Sequence, residues 1–257
     1  MPDHPMPPSN QPRRPPANLA RMGLIGLVVA GIALLFAWTA GWLSPGRLSG
    51  ARIVDAVQAS GGLHPGYRRA HAKGICIGGH FDSNGNAAAL SAASVFKPGQ
   101  VPLEGRFSTG GSDPFAPDGR VVFHGLGLRF SAPDGEQWRT AMDDTPIFPV
   151  ATGAAFYDFQ LAYAPDPATG KPDPAKVEAY LARHPETQAF IAWMKRNPLP
   201  SSFSNGTYHS INAFRFIDAA GRSRFVRWSL RPEAAFSAID KATTWRHACS
   251  RDHCAGI

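Results

Sequence analysis

From Met22 to Leu43 the chain reads MGLIGLVVAGIALLFAWTAGWL, 22 residues without a charge. As a helix rising about 1.5 Å per residue this run is ~33 Å long, enough to cross a bilayer core. Arg13, Arg14 and Arg21 precede it and only Asp3 opposes them, so the positive-inside rule keeps the N-terminus in the cytoplasm and sends the rest of the chain across. Trp38 and Trp42 suit the far interface. A signal peptide would have an apolar stretch of roughly 7–15 residues and a small-residue cleavage site. The run is longer and no such site follows. Residues 22–45 are therefore read as an uncleaved single-pass anchor in a bacterial inner membrane, with the following domain periplasmic. Residues 1–21, where seven of the 24 prolines fall among the first 16 positions, are read as an unfolded cytoplasmic tail.

Beyond the anchor about 210 residues remain, the size of one domain, taken as 46–242 with an atypical tail at 243–257. The formal charge of +7 and the 44% hydrophobic content exclude a disordered polyelectrolyte. Cys76, Cys249 and Cys254 are too few and scattered for a disulfide framework, although the last two could pair locally. Arg52–Ala59 carries apolar residues at helical spacing and stops at Gly61-Gly62. From His71 to about Phe130 short apolar runs alternate with Gly, Asn, Asp and Pro, the grammar of antiparallel strands. Short helices are expected at Gln137–Met142, Ala154–Ala162, Ala175–His184 and Glu186–Arg196. Thr207–Ile217 and Ser223–Leu230 should form a hairpin about Asp218–Gly221. The fold class is α+β, an antiparallel sheet or barrel with inserted helices.

No P-loop, dinucleotide fingerprint, G-x-S-x-G elbow or H-E-x-x-H motif is present. The densest polar knot is Arg68-Arg69-Ala70-His71-Ala72-Lys73-Gly74, where small neighbours leave space over an imidazole at the start of a strand. Four further segments follow in order: Arg106-Phe107-Ser108-Thr109, Gly127-Leu128-Arg129-Phe130, Asp144-Thr145-Pro146-Ile147-Phe148 and Phe156-Tyr157-Asp158-Phe159. Together the five segments resemble the haem catalases, over roughly residues 50–240. The shortness of the chain makes it most similar to the small catalase-related peroxidases, with a C-terminus truncated relative to catalases.

The resemblance implies a catalase-like antiparallel β-barrel, haem b as cofactor, and peroxide with a small organic reductant as substrates. It identifies His71 as the distal base, since cleaving a peroxide requires a group that takes one oxygen's proton and returns it to the other. Ser108 matches the serine that holds the far nitrogen of that ring. Arg68 and Arg106 match arginines that meet haem propionates, and Phe148 and Phe156 match aromatics lining the approach to the haem. The resemblance to a catalase core without its outer appendages, together with Gly110 after F-S-T, implies a wider channel, suited to organic peroxides. A homodimer stays open as an assembly.

The chain departs from the family pattern twice. Catalases carry asparagine where Asp143 stands, and a carboxylate cannot donate a hydrogen bond unless protonated. An apolar pocket that raised its pKa, or a second acid–base role, would reconcile Asp143 with the site; Asp144 is the alternative register. No tyrosine follows Tyr208 to serve as the family's proximal ligand, so the resemblance implies a peroxidase impaired by that loss unless another donor intervenes. The foreign composition of 243–257 is consistent with a reading frame lost near Lys241. His247, Cys249, His253 and Cys254 fit no zinc spacing well, and no metal ligand is assigned.

Two other classes compete. A non-enzymatic barrel could carry haem or another hydrophobic ligand without turnover. Arg215, Arg222, Arg224, Arg227 and Arg231, interleaved with Phe214, Phe216, Phe225 and Trp228, could form a nucleic-acid surface. Strand alternation and a periplasmic address argue against that surface, so no nucleic acid is expected as a partner.

Overall fold

A computed structural model describes residues 17–44, 47–117 and 121–239. The expectations for the N-terminal tail before residue 17 and for the tail at 243–257, including His247, Cys249, His253 and Cys254, lie outside the described residues. The chain divides into two compact units at Ser49/Gly50. The first contains α1, Ala17–Thr39, whose span Asn18–Thr39 has a mean hydropathy of 2.3 and is long and apolar enough to cross a membrane. The helix starts before Arg21 and ends at Thr39, whose hydroxyl donates back to the Leu35 carbonyl at 2.9 Å. Ala40–Leu43 is a turn, so Trp42 lies beyond the helix and not within it as the apolar run implied.

The second unit opens with α2, Gly50–Gly61, then β1 Gly74–Ser83, β2 Gly99–Thr109 and β3 His124–Ser131. Gln137–Asp143 is a strand, β4, not the helix expected from its Gln, Arg, Ala and Met. The reason is the turn before it. Gly135 at φ 87° follows Asp134, whose Oδ1 accepts from the Glu136 amide at 3.1 Å, and Ala132 N donates to Glu136 O at 2.9 Å. That closes a hairpin which sets Trp138 opposite Phe130, and the chain then alternates with a period of two.

Three helices follow as expected: α3 Gly153–Tyr163, α4 Pro174–Arg183 and α5 Glu186–Arg196. The Thr152 hydroxyl accepts from Ala155 N to cap α3. The Asp173 carboxylate accepts from Ala175 N, with Pro174 in the first turn of α4. Tyr180, fully buried, hydrogen-bonds Thr187, whose hydroxyl donates to Pro149 O; Val150, Ala155 and Ala162 complete this small core.

The expected terminal hairpin divides between two sheets. Its ends, β5 Tyr208–His209 and β8 Ser229–Leu230, join the main sheet, and its middle forms a separate ribbon of β6 Phe214–Ile217 and β7 Ser223–Val226. The break lies at Ser210, whose Oγ accepts from the Trp228 amide at 2.9 Å. The main sheet is antiparallel with order β1-β2-β3-β4-β5-β8. Among the described residues nothing pairs β1 with β8, so of the sheet or barrel expected the structure has a curled antiparallel sheet.

Antiparallel pairing gives this sheet two chemically distinct faces. Leu103, Phe107, Leu126, Leu128, Phe130, Trp138, Met142 and Tyr208 project to one side and form the main core. Arg106, Ser108, Gly125, Gly127, Arg129, Arg139, Ala141 and Asp143 occupy the alternate positions.

Candidate functional site

The second face floors a cavity of about 410 Å³ whose walls include Arg68, His71, Arg106, Ser108, Gly125, Gly127, Ala141 and Asp143. His71, Ser108, Asp143, Arg68 and Arg106, five of the seven residues singled out from the sequence, thus meet in one place. Phe148 and Phe156 do not line this cavity. They pack against each other with ring centroids 5.7 Å apart, and Phe156 belongs to the α3/α4 core. Arg129 and Arg139 line the cavity and were missed. The signal for Arg139 was the alternation Trp138-Arg139-Thr140-Ala141-Met142-Asp143, concealed by the helical reading of β4.

His71 has φ 51°, the one non-glycine residue with a positive φ among the described residues. For a residue with a Cβ this conformation costs about 1–2 kcal/mol, and the surroundings fix it several times over. The Arg106 guanidinium donates to His71 O at 2.9 Å and to Ala72 O at 3.3 Å, and Ala72 N donates to Gly111 O at 3.2 Å. Gly74 makes room for this clamp, since a Cβ there would lie 2.7 Å from Arg106 Cζ. Arg106 is therefore first a brace for the His71 backbone, a role that the sequence did not indicate.

The imidazole Nδ1 lies 3.0 Å from Ser108 Oγ. Ser108 Oγ is also 3.5 Å from Gly125 O. One hydroxyl serves both neighbours only by donating to the carbonyl and accepting from Nδ1–H, which leaves the lone pair on Nε2. Burial, then Arg106 and Arg68, hold the ring's pKa below its ordinary 6.5, so it is a neutral base at pH 7. Gly125 admits the pair: a Cβ there would sit 2.9 Å from His71 Cε1 and 3.1 Å from Ser108 Oγ. Phe123 closes the other side of the ring edge-on, at 5.6 Å between centroids. A Cβ at Gly110 would collide with this same Phe123 ring at 2.7 Å. Gly110 therefore makes room for Phe123.

Asp143 pairs with Gly125, which pairs with Ser108. This register settles the choice between the two aspartates. Asp143 belongs to the cavity, while Asp144 is buried with His124, accepting from its amide at 2.9 Å and lying 3.2 Å from its Nδ1. Burial, with the nearby Asp144 charge second, pushes the Asp143 carboxyl up from 3.8 to about 7. A protonated Asp143 can donate a hydrogen bond as an asparagine does, which answers the objection raised by the sequence.

Chemically, the arrangement is a neutral imidazole base and a carboxyl that titrates near neutrality above a floor of two glycines and an alanine, with guanidinium groups around it. The chain matches a family model, Catalase, over residues 64–255. It is 38% identical over 182 residues, 71% of this chain and 54% of the relative, to a protein named catalase-related peroxidase from Synechococcus elongatus. A protein of the same name from Mycolicibacterium paratuberculosis is 33% identical over 191 residues, 74% of this chain and 60% of the relative. The chain thus spans between half and two thirds of the length of these relatives. A bacterial catalase structure superimposes with a TM-score of 0.60 at 24% identity, covering 68% of this chain and 34% of that one; a fungal catalase gives 0.59 at 18%. With the family model matched over most of the domain, the chain belongs to the catalase family.

Proposed function

We propose that this protein is a membrane-anchored haem peroxidase that reduces hydrogen peroxide and small organic hydroperoxides at the expense of a small organic reductant. The observation that carries this reading is the His71–Ser108 contact of 3.0 Å at a cavity with a floor of Gly125, Gly127 and Ala141. The catalase family implies a haem, and the residues fit its distal face. Small side chains leave a flat floor for a macrocycle. Arg68 and Arg106, both at the cavity, would take its carboxylates, which suit the planar guanidinium fork. When bound, the haem supplies the two-electron redox chemistry.

The chain's own residues handle protons. His71 Nε2 accepts the proton of an incoming hydroperoxide and returns it to the departing oxygen. Ser108 keeps Nδ1 protonated, so that Nε2 stays the basic nitrogen. Asp143, as an acid, donates a hydrogen bond to the peroxide. The reduction consumes two electrons and two protons and yields an alcohol, or water, plus water. α1, preceded by Arg13 and Arg14 and containing Arg21, supports an inner-membrane anchor with the domain on the periplasmic side.

The test is hemin reconstitution of the full chain in detergent, comparing wild type with His71→Ala. Both should bind hemin, and the rate of reaction with peroxide should fall at least about a hundredfold in the variant. Hemin uptake without peroxide reactivity in wild type would mean a carrier and not an enzyme. The ratio of rates with cumene hydroperoxide and hydrogen peroxide tests the organic substrates.

A further inference from the structure

One row of backbone partners crosses the whole main sheet: Gly74, Ser108, Gly125, Asp143, His209, Ser229. The pairing Asp143 with His209 is the sole register point joining β4 to β5. Directly opposed residues of an antiparallel pair carry their Cβ atoms about 5 Å apart on one face, close enough for a carboxyl and an imidazole to exchange a proton through an intervening water. His209 repeats the arrangement of His71, with Nδ1 3.0 Å from a serine hydroxyl, here Ser229 Oγ. The two His–Ser pairs flank Asp143 along the row.

The two neighbours open to different spaces. Asp143 lines the first cavity. His209, half-buried, lines a second of about 280 Å³ together with Thr145, Asn197 and Trp193. The β4–β5 junction contributes residues to both cavities.

We infer that His209, oriented by Ser229, is a proton relay that recharges Asp143 from the second cavity during peroxide reduction. This rests on the peroxidase reading and extends it. His71 returns the hydroperoxide's own proton to the departing oxygen; in each cycle the protonated Asp143 supplies one of the two further protons that the reduction consumes and becomes a carboxylate. The imidazolium form of His209 then transfers its Nε2 proton to that carboxylate, and water in the second cavity reprotonates His209. One proton enters and one is consumed; no electron moves in the relay. The charged groups facing His209 are Arg227 and Arg231, which lower its pKa after burial, and Asp144, which raises it. Arg227 is itself tied to Ser210 O and Pro146 O. Asp143 is governed by burial and Asp144. An imidazolium whose pKa is held below 6.5 is a stronger acid than a carboxyl near 7, so the proton passes from His209 to the Asp143 carboxylate.

The test begins without haem. In the full chain in detergent, with ¹³C-labelled aspartate and ¹⁵N-labelled histidine, NMR follows both titrations in wild type, His209→Gln, Ser229→Ala and Asp143→Asn. Cationic His209 favours the Asp143 carboxylate, so His209→Gln should raise the Asp143 midpoint by about half a unit or more. Asp143→Asn should lower the His209 midpoint by the same amount, because coupling is reciprocal. A residue that only supports the fold would not give equal and opposite shifts. With hemin bound, His209→Gln should slow the peroxide reaction about tenfold above pH 7, with Ser229→Ala intermediate. Titrations that ignore one another overturn the relay, as does coupling with an unchanged rate and pH profile. Wild type that shows the coupling but does not react with peroxide overturns the peroxidase reading instead.

Discussion

The two faces of β2, β3 and β4 are made from the same strands by alternate residues, yet they follow opposite rules. One face packs Phe107, Leu126, Leu128 and Met142 into the main core. The other gives up side-chain volume at Gly125, Gly127 and Ala141 and surrounds the space with His71, Asp143 and arginines. Burial on the first face stabilises the fold; the second carries a residue in a left-handed conformation and a carboxyl with its pKa raised to about 7. Strain and unfavourable ionisation concentrate on the cavity face, and the core behind them offsets the cost.

The largest expected contrast is in stability. Leu128→Ala and Met142→Ala, in the core face, should each lower the unfolding free energy by about 2–5 kcal/mol in urea titrations. Asp143→Asn, in the cavity face, should raise it. The wild-type carboxyl titrates at about 7 when folded and near 3.8 otherwise, so between these values the folded state binds more protons than the unfolded. Stability is therefore lost as pH rises through that window. The gain from Asp143→Asn should be absent at pH 4 and reach about 2 kcal/mol at pH 8, once the open cavity's screening is allowed for.

Next in size is an effect on rate. Gly125→Ala brings a Cβ against both His71 and Ser108, and should slow peroxide reaction about tenfold with little change in the far-UV spectrum. A smaller effect follows from His71. Its folded pKa is below 6.5, so the base stays unprotonated and the wild-type rate should hold as pH falls to 6.5 and decline only below it. In Ser108→Ala the decline should occur at a different pH, because Nδ1 has lost its hydroxyl partner. The smallest effect is expected from Phe148→Leu. Phe148 is 40% exposed and faces Phe156, so hemin uptake and peroxide rate should be unchanged within error.

Much of this was legible in the sequence. Glycine-punctuated apolar runs identified β1 to β3, apolar residues at helical spacing identified α2, α3 to α5 were expected as short helices, and the ordered motifs brought His71, Ser108, Arg68, Arg106 and Asp143 together. The misreadings have physical causes. Gln137–Met142 has residues of good helix propensity, and the Pro133-Asp134-Gly135 turn overrides them by closing a hairpin onto β3. Once β4 was read as a helix, Arg139, Ala141 and Asp143 could not be seen as one face. Ser210 splits the last hairpin by accepting from the Trp228 amide, a side-chain-to-backbone bond with no periodic signature. The ribbon's Arg215 lies over Phe225 at 5.3 Å, while Phe214 and Phe216 pack on Trp228, so its aromatics divide between its two sides. The brace from Arg106 to His71 O depends on a positive φ, which sequence pattern does not encode.

The central claim is that the glycine- and alanine-floored face of the sheet receives a flat macrocycle. Ala141 is exposed on that face, so Ala141→Trp fills the space without touching the core. Hemin titration of the full chain, followed at the Soret band, tests the claim most directly. Wild type should take up one hemin per chain, and Ala141→Trp should bind at least about tenfold more weakly with an unchanged melting temperature. Equal uptake by both proteins would contradict it.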